Sequence, residues 1–452
     1  MAPPGPNEVA TPPTAAEAEA ETEALPERSS TSAAWRKLFQ ALELERRLAS
    51  PDGPVIVTAV EIKALSGREP RLMTKFDTRE SRPDVLKGVT ILPVTNGAYA
   101  LLAGDGYADV PLCRTASYQS FSERARTLAS LPWQAGPSSE SQAIDMAHAS
   151  GLLDEFFGEP TRMTVRGRLR TPAFGFAFDT THGAVSLEAD GVQVEVDAGF
   201  EGETLHLLEA KLGTRTNFHV RQLYYPLRMW RALLPEKRVS AAFLSWSNRC
   251  LSLRRYEFDP LERYHALALT AAVDYYLDEP QPIPTLAEVL AATQVDKLPE
   301  GMPFPQADDL RRVIDIVDAV AQGVSSHEEL ARHYEFDVRQ AQYYGNAAAF
   351  LGLVTRTASG FELDEAAADF ARLPRPDRQT LLLRRIASLP IFREVLERLV
   401  VSGELESSDV VAELIEQKAG LRGQTTLRRA RTVLAWVRFC QALSGTPTGA
   451  DA

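Results

Sequence analysis

The stretch Gln193-Val-Glu195-Val-Asp197-Ala-Gly-Phe-Glu201-Gly-Glu-Thr-Leu205-His-Leu-Leu-Glu209-Ala-Lys211 decides the fold. It reads as two β-strands joined by a short connection, with acids where a core strand should be apolar. Successive side chains alternate faces along a strand, so Gln193, Glu195 and Asp197 point one way and Val192, Val194 and Val196 the other. In the second strand Leu205, Leu207, Glu209 and Lys211 share a face. Pairing the strands brings Asp197, Glu209 and Lys211 together. Two carboxylates beside a lysine on apolar strands are costly to bury unless they hold a metal or pair with one another.

Cutting a phosphodiester needs a metal to activate water and neutralise charge on the phosphoryl oxygens. Mg²⁺ prefers oxygen ligands and usually takes only one or two carboxylates. Asp197 and Glu209 supply these, and the Ala210 carbonyl between Glu209 and Lys211 is the expected third ligand. Lys211 can hold or polarise the attacking water. A Glu-x-Lys on its own is more often a solvated edge strand. Here the context is fuller: an acidic strand upstream, a separation of 12 residues between Asp197 and Glu209, and a following helix that carries Arg221, Gln222 and Arg228.

Outward from this pair the pattern predicts strands at 164–170, 174–179, 239–246 and 251–258, with helices at 141–157, 217–234 and 260–277. Helices and strands in this order make an α/β (α+β) unit on a mixed sheet, spanning 141–278. Upstream, residues 33–135 read as a separate α/β domain, with a helix at 33–48 and strands at 55–62, 90–94 and 98–103. Residues 1–32, rich in Pro, Ala and Glu, read as a disordered tail. Downstream, 285–372 predicts a helix closing on Gly323, a short helix capped by Ser325 or Ser326, a longer helix at 338–351, and a two-stranded wing: the parts of a winged helix. Residues 373–445 repeat the helical theme, with helices at 391–401, 409–417 and 425–441.

These residues resemble the PD-(D/E)xK nuclease superfamily, Asp197, Glu209 and Lys211 matching its three signature positions. More narrowly, Gln193–Glu201, Leu208-Glu-Ala-Lys211 and Arg221-Gln-Leu-Tyr-Tyr-Pro226 look like a group of type II restriction endonucleases. The likeness extends to Arg68-Glu-Pro-Arg-Leu-Met-Thr-Lys-Phe-Asp77 and to the winged-helix stretch. It departs from the simplest pattern in having Val196, not Pro, before the aspartate. The resemblance implies a restriction-endonuclease-like core, a Mg²⁺ cofactor, double-stranded DNA as substrate and a homodimer, formed on DNA if not before. It also implies an orienting role for Gln222 and a further acid from the preceding helix, for which Glu155 is the candidate. Glu195 shares the face of Asp197 as a supporting acid. A non-catalytic DNA-binding regulator on a degenerate core, or a modification-dependent or repair nuclease, are the alternatives.

The formal net charge of −12 argues at face value against nucleic acid. Its distribution softens that, because six glutamates before residue 30 face Arg28 alone, whereas residues 421–440 carry five arginines and no acid. Candidate DNA contacts are Lys75, Arg79 and Arg82 in the first domain, Arg221 and Arg228 after the acidic strands, and Arg339, Gln340 and Gln342 on the longer winged-helix helix. Arg428, Arg429 and Arg431 on the last helix complete the set. Cys113, Cys250 and Cys440 are isolated, so neither a zinc site nor a disulfide framework follows from them, and a reduced cytoplasm is the simplest home. No apolar run approaches the roughly 20 residues that span a bilayer.

Overall fold

The computed structural model describes residues 30–50, 53–111 and 119–444; Cys113 and the tail up to residue 29 lie outside them. The chain opens with α1 (Ser30–Ala41) and α2 (Leu44–Leu48), so the last three residues assigned to the tail are helical instead. Then come β1 (Val55–Thr58), α3 (Ala59–Ser66), α4 (Pro70–Thr74), β2 (Val89–Thr95) and β3 (Ala98–Ala103). The strand expected over 55–62 stops at Thr58. There the Thr58 hydroxyl accepts from the Glu61 amide while the Glu61 carboxylate accepts from the Thr58 amide, a capping box that starts a helix. The three strands form an antiparallel sheet in the order β1-β3-β2 over a core that includes Trp35, Val57, Met73 and Leu101.

The middle of the chain runs β4 (Tyr107–Asp109), β5 (Gln119–Ser120), α5 (Ser122–Thr127), α6 (Glu140–Ala149), α7 (Leu152–Phe157), β6 (Arg162–Arg170), β7 (Phe174–Thr180), β8 (Gly183–Ala189), β9 (Gln193–Glu201), β10 (Thr204–Leu212), β11 (Asn217–His219), α8 (Arg221–Leu233), β12 (Arg238–Ser247), β13 (Cys250–Phe258) and β14 (Leu267–Tyr276). A seven-stranded mixed sheet results, in the order β5-β14-β13-β12-β10-β9-β6. β10 pairs antiparallel to β9 and parallel to β12, so α8 is the crossover between β10 and β12. The expected single helix at 141–157 breaks at Gly151, whose φ of +73° suits a residue without a Cβ.

The helix expected over 260–277 is overturned. Leu267–Tyr276 is a strand, because β13 would otherwise be an open edge and takes β14 along its whole length, from Cys250 opposite Tyr276 to Phe258 opposite Leu267. The buried pair Arg254–Asp274, at 2.7 Å, ties the two strands side by side.

The rest is helical: α9 (Leu286–Ala292), α10 (Leu310–Ala321), α11 (His327–Tyr334), α12 (Val338–Phe350), a hairpin of β15 (Thr355–Arg356) and β16 (Phe361–Glu362), then α13 (Glu365–Arg372), α14 (Arg375–Ser388), α15 (Pro390–Ser402), α16 (Ser408–Ala419) and α17 (Gln424–Leu443). One face of the large sheet, through Ala198, Leu208 and Leu244, shares a continuous apolar core with α6, α7 and these helices. The other face packs on α8 and the β7–β8 hairpin, a core reached by Leu92 and Leu102 of the first sheet. Among the described residues no helix is long and apolar enough to cross a membrane.

Candidate active site

The strand pair is where the site is made. Side chains of β10 alternate as expected: Leu205 and Leu207 pack against Val196, with Trp230 of α8 alongside, while Leu208, Ala210 and Leu212 enter the helical core. Glu209 and Lys211 therefore emerge on the α8 side. The β9–β10 ladder ends at Leu208 opposite Ala198. One step further, the Ala210 N–H finds a side chain instead of a backbone carbonyl and donates to Asp197 Oδ2 at 2.9 Å. In an extended strand the carbonyl of a residue points to the same side as its N–H, so the Ala210 carbonyl faces the same gap between the parting strands.

Gln222, in the first turn of α8, donates its Nε2 to Glu209 Oε1 at 2.6 Å, and its own Oε1 is buried without a hydrogen-bond partner. Lys211, 5% exposed, sets its ammonium 3.0 Å from Glu209 and 3.1 Å from Glu140, the first residue of α6. A third carboxylate, Glu335, stands 3.7 Å from the same Nζ. Glu335 closes α11 in a left-handed conformation with φ +58°, and it also lies 3.3 Å from Arg215. Asp77 comes from the loop after α4. That loop is pinned to β11: the His219 amide donates to the Asp77 carbonyl at 2.9 Å, and the Arg79 amide to Asn217 Oδ1 at 2.8 Å. Lys75 and Arg221 stand 3.3 and 3.9 Å from the Asp77 carboxylate.

Burial and charge act against each other here. Burial, then repulsion from Asp197, lift the Glu209 carboxyl well above the usual range. Burial lifts Asp197 as well, with Lys211 and the Ala210 N–H opposing it. For Lys211 burial pulls down, but Glu209, Glu335, Glu140 and Asp77 outweigh it and hold the ammonium well above the ordinary lysine value. Burial would raise Asp77 too, yet Lys211, Lys75 and Arg221 keep it ionised. The carboxylates around Lys211 thus favour its ammonium form.

These groups line a cleft of about 530 Å³ between the large sheet, α8 and the N-terminal sheet. Asp197, Glu209, Lys211 and Gln222 are all brought together in it, with Glu195, Lys75 and Arg221 on its walls. Glu195 is half-exposed and pairs with Arg168 at 3.3 Å. Glu155 is not there: on α7 its carboxylate pairs with Arg124. The acid that reaches the lysine from this side is Glu140, one helix earlier and just before the helix start expected at 141. Asp77 and Glu335 also escaped the sequence reading. A lone acid between Phe76 and Thr78, or one at a helix C-terminus, carries no local signal; only the tertiary fold puts them beside Lys211.

Several expected DNA contacts are occupied within the protein. Arg228 donates to the Leu261 and Gly175 carbonyls and lies over the Phe174 ring, so it packs α8. Arg82 stacks on Tyr107 and donates to the Val89 carbonyl, and Arg79 is held by Asp105 and Asp109. Arg429 is fully buried, because it takes an inward position on α17, whereas Arg428 and Arg431 are exposed. Arg339 donates to the Tyr343 hydroxyl, Gln340 buries its Oε1, and Gln342 is half-buried; α12 contributes nothing to the cleft.

Residues 32–101, 106–276 and 312–444 match three families, each described as a domain of unknown function (DUF6996, DUF6997 and DUF7226, in that order). No curated protein and no solved structure matches the chain. Among the described residues no cluster of three or more His, Cys, Asp or Glu side chains is arranged to hold a metal ion. The strands offer two carboxylates and a carbonyl. That set suits Mg²⁺, which commonly takes one or two carboxylates and completes its shell with water and phosphate. The partnerless Gln222 Oε1 beside two mutually repelling carboxylates fits a site meant to receive a cation and its waters.

Proposed function

We propose that this protein is a Mg²⁺-dependent endonuclease of double-stranded DNA, similar to the PD-(D/E)xK nucleases and within them to type II restriction endonucleases. The observation that carries this reading is the meeting of Asp197, Glu209, Lys211 and Gln222 in one cleft. In this reading the large sheet with its α8 crossover is the nuclease core, and α10 to β16 is a winged helix. Asp197, Glu209 and the Ala210 carbonyl hold the ion, which when bound supplies Lewis acidity and neutralises charge on the phosphoryl oxygens.

The chain's own groups do the rest. The Ala210 N–H fixes the rotamer of Asp197, and the Gln222 amide fixes that of Glu209, so neither carboxylate must be ordered when substrate arrives. Lys211 presents an ammonium whose N–H groups orient the attacking water and stabilise the negative charge that builds as the bond to phosphorus forms. Glu140 and Glu335 hold that ammonium from the opposite side. Arg168 and Arg221 supply cations for the phosphate backbone along the cleft. Cutting both strands calls for two such sites, hence a homodimer on the duplex.

The test is to incubate methylated and unmethylated plasmid with the protein in Mg²⁺, in excess chelator, and with the Lys211→Ala variant at a temperature where it remains folded. Cutting that needs the ion and Lys211 is the expected result. Robust cutting in chelator, or by the variant, would remove this site from the reaction. Duplex binding with no cutting under any condition would leave the regulator reading, and cutting of methylated plasmid alone would make it a modification-dependent nuclease.

A further inference from the structure

The cleft has two unlike walls. One is the charged floor of β9, β10 and α8 already described. The other belongs to the N-terminal sheet: Arg71 and Thr74 on α4, Lys75 just after it, and the β2–β3 turn Thr95-Asn96-Gly97. On this second wall most polar groups are committed. Thr74 Oγ1 donates to the Pro70 carbonyl and Lys75 lies against Asp77. Asn96 and Arg71 are different. Asn96 is exposed at the tip of the hairpin, held out by Gly97, whose φ is +117° and whose carbonyl is anchored by the Ala59 amide at 2.7 Å. Arg71 has a side chain 59% exposed, and its one ion pair among the described residues is a 3.8 Å approach of a single nitrogen to Glu195, itself 48% exposed.

We propose that this wall reads the substrate: Asn96 and Arg71 are specificity-determining residues that contact base edges. The inference rests on the nuclease reading and deepens it. A neutral amide is a poor phosphate ligand beside the cations of the opposite wall, but its paired donor and acceptor match the adenine N6/N7 edge, as the guanidinium fork matches guanine O6/N7. Both groups sit on rigid supports, a tight hairpin and a helix opened by proline, which suits a reader better than a mobile loop. The rival reader, α12, has Arg339 bound to Tyr343 and contributes no residue to the cleft.

The experiment uses the full-length protein in Mg²⁺ on a plasmid pool carrying a randomised window, with the cut ends sequenced, for wild type, Asn96→Ala, Arg71→Ala and, as control, Arg339→Ala with Gln342→Ala. Each reader should lose about 10- to 100-fold of its discrimination at one position, an adenine for Asn96 and a guanine for Arg71, as expected of one bidentate contact. The α12 control should keep the wild-type preference. A wild-type preference unchanged in both wall variants, or a wild-type enzyme that cuts every sequence equally, overturns the inference while leaving the nuclease reading intact. No cutting by wild type overturns the nuclease reading, and the inference is then decided by binding alone. A second measurement, selection of bound duplexes from the same pool in Ca²⁺, must then show the same positional losses for any reading role to survive.

Discussion

Replacing Lys211 with methionine removes the ammonium and keeps most of the volume, and the structure fixes what that should cost. The ammonium is buried 3.0 Å from Glu209, itself only 8% exposed. Deleting one partner of a buried pair costs about 3–5 kcal/mol, because the other charge is left uncompensated. Glu140 and Glu335 lose the cation too, but their side chains are 37% and 26% exposed and can take up water, and Arg215 stays beside Glu335. The cost therefore falls on Glu209. Its escape is to bind a proton, which burial and Asp197 already favour. A carboxyl whose folded pKa lies above its unfolded value contributes stability below the unfolded pKa, about 4.3 for glutamate, and loses it as pH rises through the folded value. We expect Lys211→Met to lose about 3 kcal/mol at alkaline pH and much less near the unfolded pKa. Adding Glu209→Gln removes both charges and should restore most of the loss. Urea unfolding followed by tryptophan fluorescence, across this pH range, measures both variants. A Lys211→Met midpoint equal to wild type in alkali, or a double variant no better than the single, refutes the argument that Lys211 carries the charge of Glu209.

The exposed pair Arg428 and Arg431 should, if they touch phosphates, flatten the slope of log K against log salt by about 0.9 each when neutralised, whereas buried Arg429→Ala should lower stability without touching the slope; a salt titration of duplex binding separates them. Buried Asp315 accepts from the Thr214 amide and the Ser247 hydroxyl, and burial pushes its carboxyl up to about 6 from 3.8. Its contribution to stability is then present below the unfolded value and lost as pH rises through about 6, by roughly 3 kcal/mol in all, a fall that Asp315→Asn should abolish in melting curves. A wild-type pH slope in that variant would contradict it. A Cβ at Gly345 would meet Phe361 Cε2 at 2.1 Å, so Gly345→Ala should destabilise the α12–hairpin contact by about 1–3 kcal/mol and speed amide exchange in β15 and β16.

The floor of the site was legible because period-2 alternation is a local signal. Acids at Asp197 and Glu209 on apolar strands predicted their own juxtaposition, and the following helix gave Gln222. The helix boundaries around Ser326 and Asp337 were legible for the same reason, since both side chains cap the amides expected of them. What failed was what depends on partners far away in the chain. Leu267-Ala-Leu-Thr-Ala-Ala has helix-forming composition, and only the free edge of β13 makes it a strand. Arg82, Arg228 and Arg429 read as surface cations because a basic residue is usually exposed, and nothing local announces a Tyr107 ring or an interior helix face waiting for it. Asp77 and Glu335 belong to the same class.

Asp77, Lys211 with Glu140, and Glu335 fall in three separately matched stretches, 32–101, 106–276 and 312–444. One ammonium thus settles accounts among three modules that could each have had a history apart. A middle segment joined to foreign neighbours would keep Asp197, Glu209 and Lys211 and lose the distant anions that help hold its lysine charged. Lys211 thus depends for its charge on residues that lie in all three stretches.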